Sequence, residues 1–170
     1  LLAKNAMEAR WSFNIPSLTR KIEGVNEGHL IEVGARPNTG KTSFHASMIA
    51  GDNGFARQGA RCVVLCNEES VHRVGMRYLT ASSNMNQYEI KDNPKVAHER
   101  YSAVKDNIKL YDSTGRDMAW VESIAKSFKP DVVILDMGDK FVKTAGFARQ
   151  DEALKANAVH ARMIAKQYNC

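Results

Sequence analysis

Short apolar runs alternate along the chain with longer stretches in which apolar residues recur every three or four positions. The runs read as strands: Leu30-Ile31-Glu32-Val33-Gly34, Cys62-Val63-Val64-Leu65-Cys66, Ile108-Lys109-Leu110-Tyr111, and Val132-Val133-Ile134-Leu135 ending at Asp136. The periodic stretches predict helices over about 41–50, 70–81, 86–92, 94–105, 117–128 and 151–168. Local chemistry supports several boundaries. Asp117 suits an N-cap, Pro94 suits a first helical turn and Pro130 stops the helix before it. Ser17 is expected to cap a short helix over 18–22, and 137–150 reads as a long loop. Strand–helix alternation predicts an α/β fold with a mostly parallel sheet. The run 62–66 is apolar at every position, as in a strand with helices on both faces of its sheet.

At roughly 150 residues per domain, 170 residues make about one domain. Residues 1–29 read as a lead-in or linker segment and 30–170 as the core. The apolar runs are too short to span a bilayer, so no membrane partner is expected. The chain opens Leu1-Leu2-Ala3-Lys4-Asn5, with neither Met nor a signal-peptide pattern, and is expected to belong to a longer protein. The 24 Lys and Arg exceed the 19 Asp and Glu by five, which permits a polyanionic partner without requiring one. Three cysteines, Cys62, Cys66 and Cys170, make no disulfide framework and suit the reducing cytoplasm. His29, His45, His72, His98 and His160 have no spacing suited to a metal or a catalytic pair and read as surface or capping residues.

The most informative stretch is Ala35-Arg36-Pro37-Asn38-Thr39-Gly40-Lys41-Thr42, followed by Ser43. It has phosphate-loop spacing, with Ala35 where the first glycine usually stands, and it lies between an expected strand and an expected helix. The residue types suit the chemistry. Backbone N–H groups at a helix N-terminus point at anions, and Gly40 lets the chain approach a phosphate closely. Lys41 is a point charge for the β- and γ-phosphates, and Thr42 offers a hydroxyl to Mg²⁺. Residues 35–43 are thus candidates for binding ATP; no guanine-reading Asn-Lys-x-Asp motif is present.

Two acidic positions add to this. Asp136 ends an apolar strand at the sheet edge where α/β ligands bind, as a Walker B aspartate supporting the metal does. Glu68 and Glu69 follow the strand 62–66. A carboxylate there can polarise the water that attacks the γ-phosphate, or the pair can simply favour the start of the next helix. Spacing alone leaves both readings open.

Together these residues resemble the RecA-like motor domain of DnaB-type replicative helicases, including the helicase halves of phage primase-helicases. The likeness is carried by Phe13-Asn14-Ile15-Pro16-Ser17-Leu18 with Gly24 and Gly28, by Ala35 to Thr42, by Leu65-Cys66-Asn67-Glu68-Glu69-Ser70, and by Ile108 through Asp136. It spans about residues 13–168. The resemblance implies a RecA-like P-loop NTPase core, incomplete at its C-terminus, with ATP and Mg²⁺ as cofactors. It makes Lys41 and Glu68 catalytic, Glu68 rather than Glu69 being the water-activating residue, and gives Thr42 and Asp136 to the metal. It implies a hexameric homo-oligomeric ring on single-stranded DNA, with primase and loader proteins among the partners. The next strands, the second DNA loop and the arginine finger would follow Cys170, so this piece alone is expected to hydrolyse ATP poorly. Met137-Gly138-Asp139 departs from the aromatic or apolar pair and Gln usual in bacterial members.

The same resemblance turns the loop 137–150 toward the pore. Lys140, Lys143 and Arg149 against Asp139 give it a net charge of +2, suited to binding phosphates without reading sequence. Phe141 and Phe147 can stack on bases or anchor the loop in the core. Rival functions on the same motifs are a RecA-like recombinase or clock-type ATPase, a small-molecule P-loop kinase, and a non-catalytic nucleotide-binding module.

Overall fold

The protein is described by a computed structural model covering residues 9–36, 38–141 and 150–170. Three strands, β1 (Cys62–Cys66), β2 (Ile108–Asp112) and β3 (Val132–Leu135), form a parallel sheet in the order β2-β1-β3. Cys62 stands opposite Ile108 on one side and Val132 on the other, so all three strands end at the same edge. β1 is buried at every position. Its period-2 alternation divides the core. Cys62, Val64 and Cys66 pack with Ile49 of α2 (Lys41–Ala50) and with Val74 and Tyr78 of α3 (Val71–Ser83). Val63 and Leu65 face the other way, against Val121 and Ala125 of α6 (Met118–Phe128) and Ile164 of α7 (Gln150–Tyr168). Helices therefore cover both faces, which is why the central strand carries no polar position.

Local signals set most of the helix ends. The Ser70 side chain accepts from Arg73 N–H at the start of α3. Asn86 and Glu89 form a capping box at α4 (Gln87–Asp92), and Asp117 accepts from Trp120 N–H at α6. Pro94 opens α5 (Pro94–Ser102). That helix stops short of 105, and a 3₁₀ turn, Lys105–Asn107, leads into β2. The helix α1 (Pro16–Ile22) starts after Ile15 without a side-chain cap, so Ser17 does not cap it. Pro16 takes the first helical position instead, where its fixed φ starts the turn and no N–H is lost.

The expected strand 30–34 does not form. The segment makes no ladder, and Leu30, Ile31 and Val33 are exposed. An apolar run becomes a strand only where a partner satisfies its backbone, and this segment pairs with neither outer edge of the β2-β1-β3 sheet. Instead Ile31 and Val33 line an open groove of about 630 Å³ with Phe13, Ile15, Leu18 and Phe44. Phe13 itself is buried in the α2–α3 layer, and Trp11 and Val25 pair in an antiparallel bridge beside it.

Burial governs the thiols. Loss of solvent, aided by the charge of Asp131, pushes Cys62 up to about 12. Burial and then Asp136, Asp112 and Glu69 do the same for Cys66, to about 12. The thiolate is the nucleophile, so at pH 8 each is reactive in on the order of one molecule in 10⁴. Iodoacetamide at pH 8 is expected to leave both unlabelled in the native protein and to label them after unfolding in urea. Mass-spectrometric detection of either adduct without denaturant would contradict this packing.

Candidate nucleotide site at the sheet edge

The site begins where α2 emerges from its loop. Gly40, at φ 96°, turns the chain into the helix, and Asn38 is also left-handed at φ 59°. Nothing crowds a Cβ built on Gly40, so the conformation alone demands glycine there. The Thr39 hydroxyl donates to Arg36 C=O at 2.6 Å and closes the loop. No side chain caps the start of α2, so its first N–H groups stay available to an anion, with the helix dipole behind them. Thr42 is buried in the first turn, while Ala35, Arg36, Asn38, Thr39 and Gly40 are exposed. Pro37 lies outside the described residues.

Lys41 leads from this loop to the tip of β3. Its Nζ donates to Met137 Sδ at 2.8 Å. A thioether is a weak acceptor, so a phosphate oxygen would displace it readily. Met137 follows Asp136 in a left-handed conformation, φ 60°, that only glycine adopts without cost, and that turn opens the 3₁₀ turn Gly138–Lys140. Asp136 N–H donates to Leu65 C=O at 3.1 Å, which ties the carboxylate to β1.

Buried polar side chains are nearly always paired, so exceptions need a cause. Among the described residues the unpaired buried atoms are His45 Nε2, Asn67 Nδ2, Ser113 Oγ and Asp136 Oδ2. Asn67, Ser113 and Asp136 follow the C-terminal ends of β1, β2 and β3, and His45 approaches Asp136 from α2, with Nε2 3.9 Å from Oδ2. Four orphaned polar atoms along one edge of a parallel sheet are what a polar ligand site leaves when built from protein alone. Asp136 Oδ2 and the Thr42 hydroxyl are hard oxygen donors, and these residues fit a nucleotide-bound Mg²⁺.

The two glutamates differ in their partners. Glu69 is gripped by Arg77 of α3 through both guanidinium Nη2, at 2.8 Å from Oε1, and Nε, at 3.4 Å from Oε2. Arg77 Nη1 also donates to Ser43 Oγ at 3.2 Å, so the pair braces α3 against the phosphate-loop helix. Glu68 has a looser neighbour, Lys140, whose Nζ is 3.9 Å from Oε1 with both side chains well exposed. Lys140 thus stands beside Glu68 at the sheet edge. Lys143, Arg149 and Phe147 lie outside the described residues, whereas Phe141 is buried in the α6–α7 layer.

His45 corrects the surface or capping role expected from sequence. It is buried, and its Nδ1 lies 3.0 Å from the hydroxyl of the fully buried Tyr78. Its position three residues after Thr42, on the same helix face, was the available signal. Arg77 gave none, because its partners Glu69 and Ser43 meet it only through the packing of α2 on α3. Among the described residues no cluster of three His, Cys, Asp or Glu is placed to hold a metal, and no helix is long and apolar enough to cross a membrane.

Comparison with solved structures places the fold. The ATPase domain of G40P superposes with a TM-score of 0.83 at 15% identity, over 98% of this chain and 64% of that one. A DnaB-like replicative helicase, described with its interactions with primase, gives 0.81 at 15% identity, over 98% of this chain and 43% of that one. The shared architecture is the RecA-like ATPase fold, and the chain spans less than two thirds of either solved chain. A search of curated proteins gives no match. Residues 12–137, from the lead-in segment through the phosphate loop to the residue after Asp136, match the profile of the DnaB-like helicase C terminal domain, and the chain belongs to that family.

Proposed function

We propose that this chain is part of the motor of a replicative DNA helicase, which couples ATP hydrolysis to movement along single-stranded DNA and to duplex unwinding. The observation that carries the reading is the meeting of the phosphate loop with the β3 tip: Lys41 Nζ lies 2.8 Å from Met137, beside a buried Asp136 with an unpaired oxygen. In this reading the N–H groups around residues 39–42, with Lys41, hold the triphosphate, and Ser43 adjoins it. Thr42 and Asp136 hold Mg²⁺, which when bound neutralises charge developing on the phosphates. Glu68 accepts the proton of the attacking water as its oxygen bonds to the γ-phosphorus and the bond to ADP breaks.

Lys140 links this chemistry to DNA. With Lys143 and Arg149 it offers cations to the phosphates of a strand in the pore of a homo-oligomeric, hexameric ring. Its contact with Glu68 makes DNA-dependent hydrolysis a natural outcome, because a strand that draws Lys140 away frees the carboxylate. Primase and loader proteins are the partners this reading brings, and the cytoplasm is its compartment.

The test is the ATPase rate of the intact protein with and without single-stranded DNA, alongside unwinding of a forked duplex. Strong stimulation and strand separation are the expected results. Phosphate transfer to a small acceptor, with no response to DNA, would identify a kinase instead. Replacing Lys140 and Lys143 together by Ala is expected to reduce the slope of log affinity against log salt by up to about 1.4. An unchanged slope would remove both from the DNA contact.

A further inference from the structure

We propose that His45 is a positioning residue for Asp136, itself oriented by Tyr78, and that this buried relay holds the carboxylate in place for a nucleotide-bound divalent cation. The inference rests on the reading of Asp136 given above. His45, Asp136 and Tyr78 are all buried, at 7%, 4% and 0% exposure. They come from three elements: α2, the turn after β3, and α3.

The hydrogen bonding selects one tautomer. Tyr78 has one proton to donate and His45 Nδ1 lies 3.0 Å away. If the ring donated to Tyr78, the phenol proton would be left in the core with no acceptor among the described residues. If Tyr78 donates, Nδ1 accepts and Nε2 carries the hydrogen. That puts the hydrogen on the nitrogen 3.9 Å from Asp136 Oδ2, a buried carboxylate oxygen with no hydrogen-bond partner among the described residues. Burial drives the Tyr78 phenol well above its ordinary value, which keeps the donor in its protonated form.

The separation has its own meaning. At 3.9 Å, Nε2 is beyond the 2.7–3.2 Å of a direct hydrogen bond. The N–H dipole biases the carboxylate electrostatically, yet leaves the lone pairs of Oδ2 for another ligand. A closer bond would consume them. His45 also shares its helix face with Thr42, so one turn of α2 carries both the hydroxyl expected on the cation and the ring that orients the opposing carboxylate. Outer partners of metal-ligating carboxylates change metal affinity when removed, typically by 10–100-fold.

The experiment measures Mn²⁺ binding to the ADP complex of the intact protein by electron paramagnetic resonance, with metal-free ADP binding measured separately in chelator. His45→Met fills the volume without an N–H and is expected to weaken Mn²⁺ about tenfold while leaving metal-free ADP affinity within about twofold. His45→Gln, whose amide N–H reaches the Nε2 position, is expected to recover most of the loss. Tyr78→Phe frees the tautomer and is expected to fall between them. Thermal unfolding of each variant separates these effects from misfolding, and His45→Gln and Tyr78→Phe decide the matter if His45→Met does not fold. Unchanged Mn²⁺ affinity in His45→Met, or equal losses in the Met and Gln variants, would overturn the proposal. Asp136→Asn is the control: if it too leaves Mn²⁺ affinity unchanged, the assignment of Asp136 itself fails.

Discussion

Glu68→Gln is expected to lower the DNA-stimulated ATPase rate of the intact protein by about 10²–10⁴-fold, the range for loss of a general base. The amide keeps the shape of the side chain and cannot accept the proton of the attacking water. ATP affinity is expected to stay within a few-fold, because the binding groups proposed around Lys41 and Thr42 are untouched. The neighbouring Glu69→Gln provides the contrast. Glu69 is held by Arg77, which also reaches Ser43, so its change should disturb the brace between α3 and the phosphate-loop helix. Its expected signature is weaker nucleotide binding with a smaller fall in turnover. Steady-state kinetics with both variants separate the roles. A larger fall in turnover with Glu69→Gln than with Glu68→Gln, ATP affinity being equal, would exchange the two assignments.

The largest effect on stability is expected from Leu65→Ala, at about 3 kcal/mol within the 2–5 kcal/mol range for such truncations. Leu65 is fully buried, pairs with Leu135 in register, and accepts the Asp136 N–H on its carbonyl. Its side chain packs against the α6–α7 layer in a buried cluster with Val63, Val121, Phe141 and Ile164. With a urea m-value of roughly 1–3 kcal/mol/M, the unfolding midpoint should fall by about 1–3 M. Val33→Ala is expected to cost under about 0.5 kcal/mol, because Val33 is exposed in a segment that pairs with no strand. Equal shifts for the two variants, followed by circular dichroism in urea, would show that 30–34 is packed as a strand after all.

The sequence by itself determined what neighbours along the chain decide. The unbroken apolar run 62–66 announced a strand covered on both faces, and Ser70, Asn86 and Asp117 marked helix starts through bonds to N–H groups two or three residues ahead. The phosphate-loop spacing was legible for the same reason, since its glycine, lysine and threonine lie within one short turn. Tertiary structure alone decided which groups meet across the fold. The run 30–34 had the composition of a strand but no ladder, because pairing depends on an edge elsewhere in the chain. Spacing alone leaves Glu68 and Glu69 alike, and the packed structure gives them different partners, Lys140 for Glu68 and Arg77, eight positions on, for Glu69. His45 reads as an ordinary helix residue until α2 packs on α3 and against the β3 tip, which puts Tyr78 on one ring nitrogen and Asp136 before the other. Period, caps and turns are short-range and written residue by residue; the partner of a buried polar atom is chosen by elements distant in the chain, and only the packed core brings them within reach.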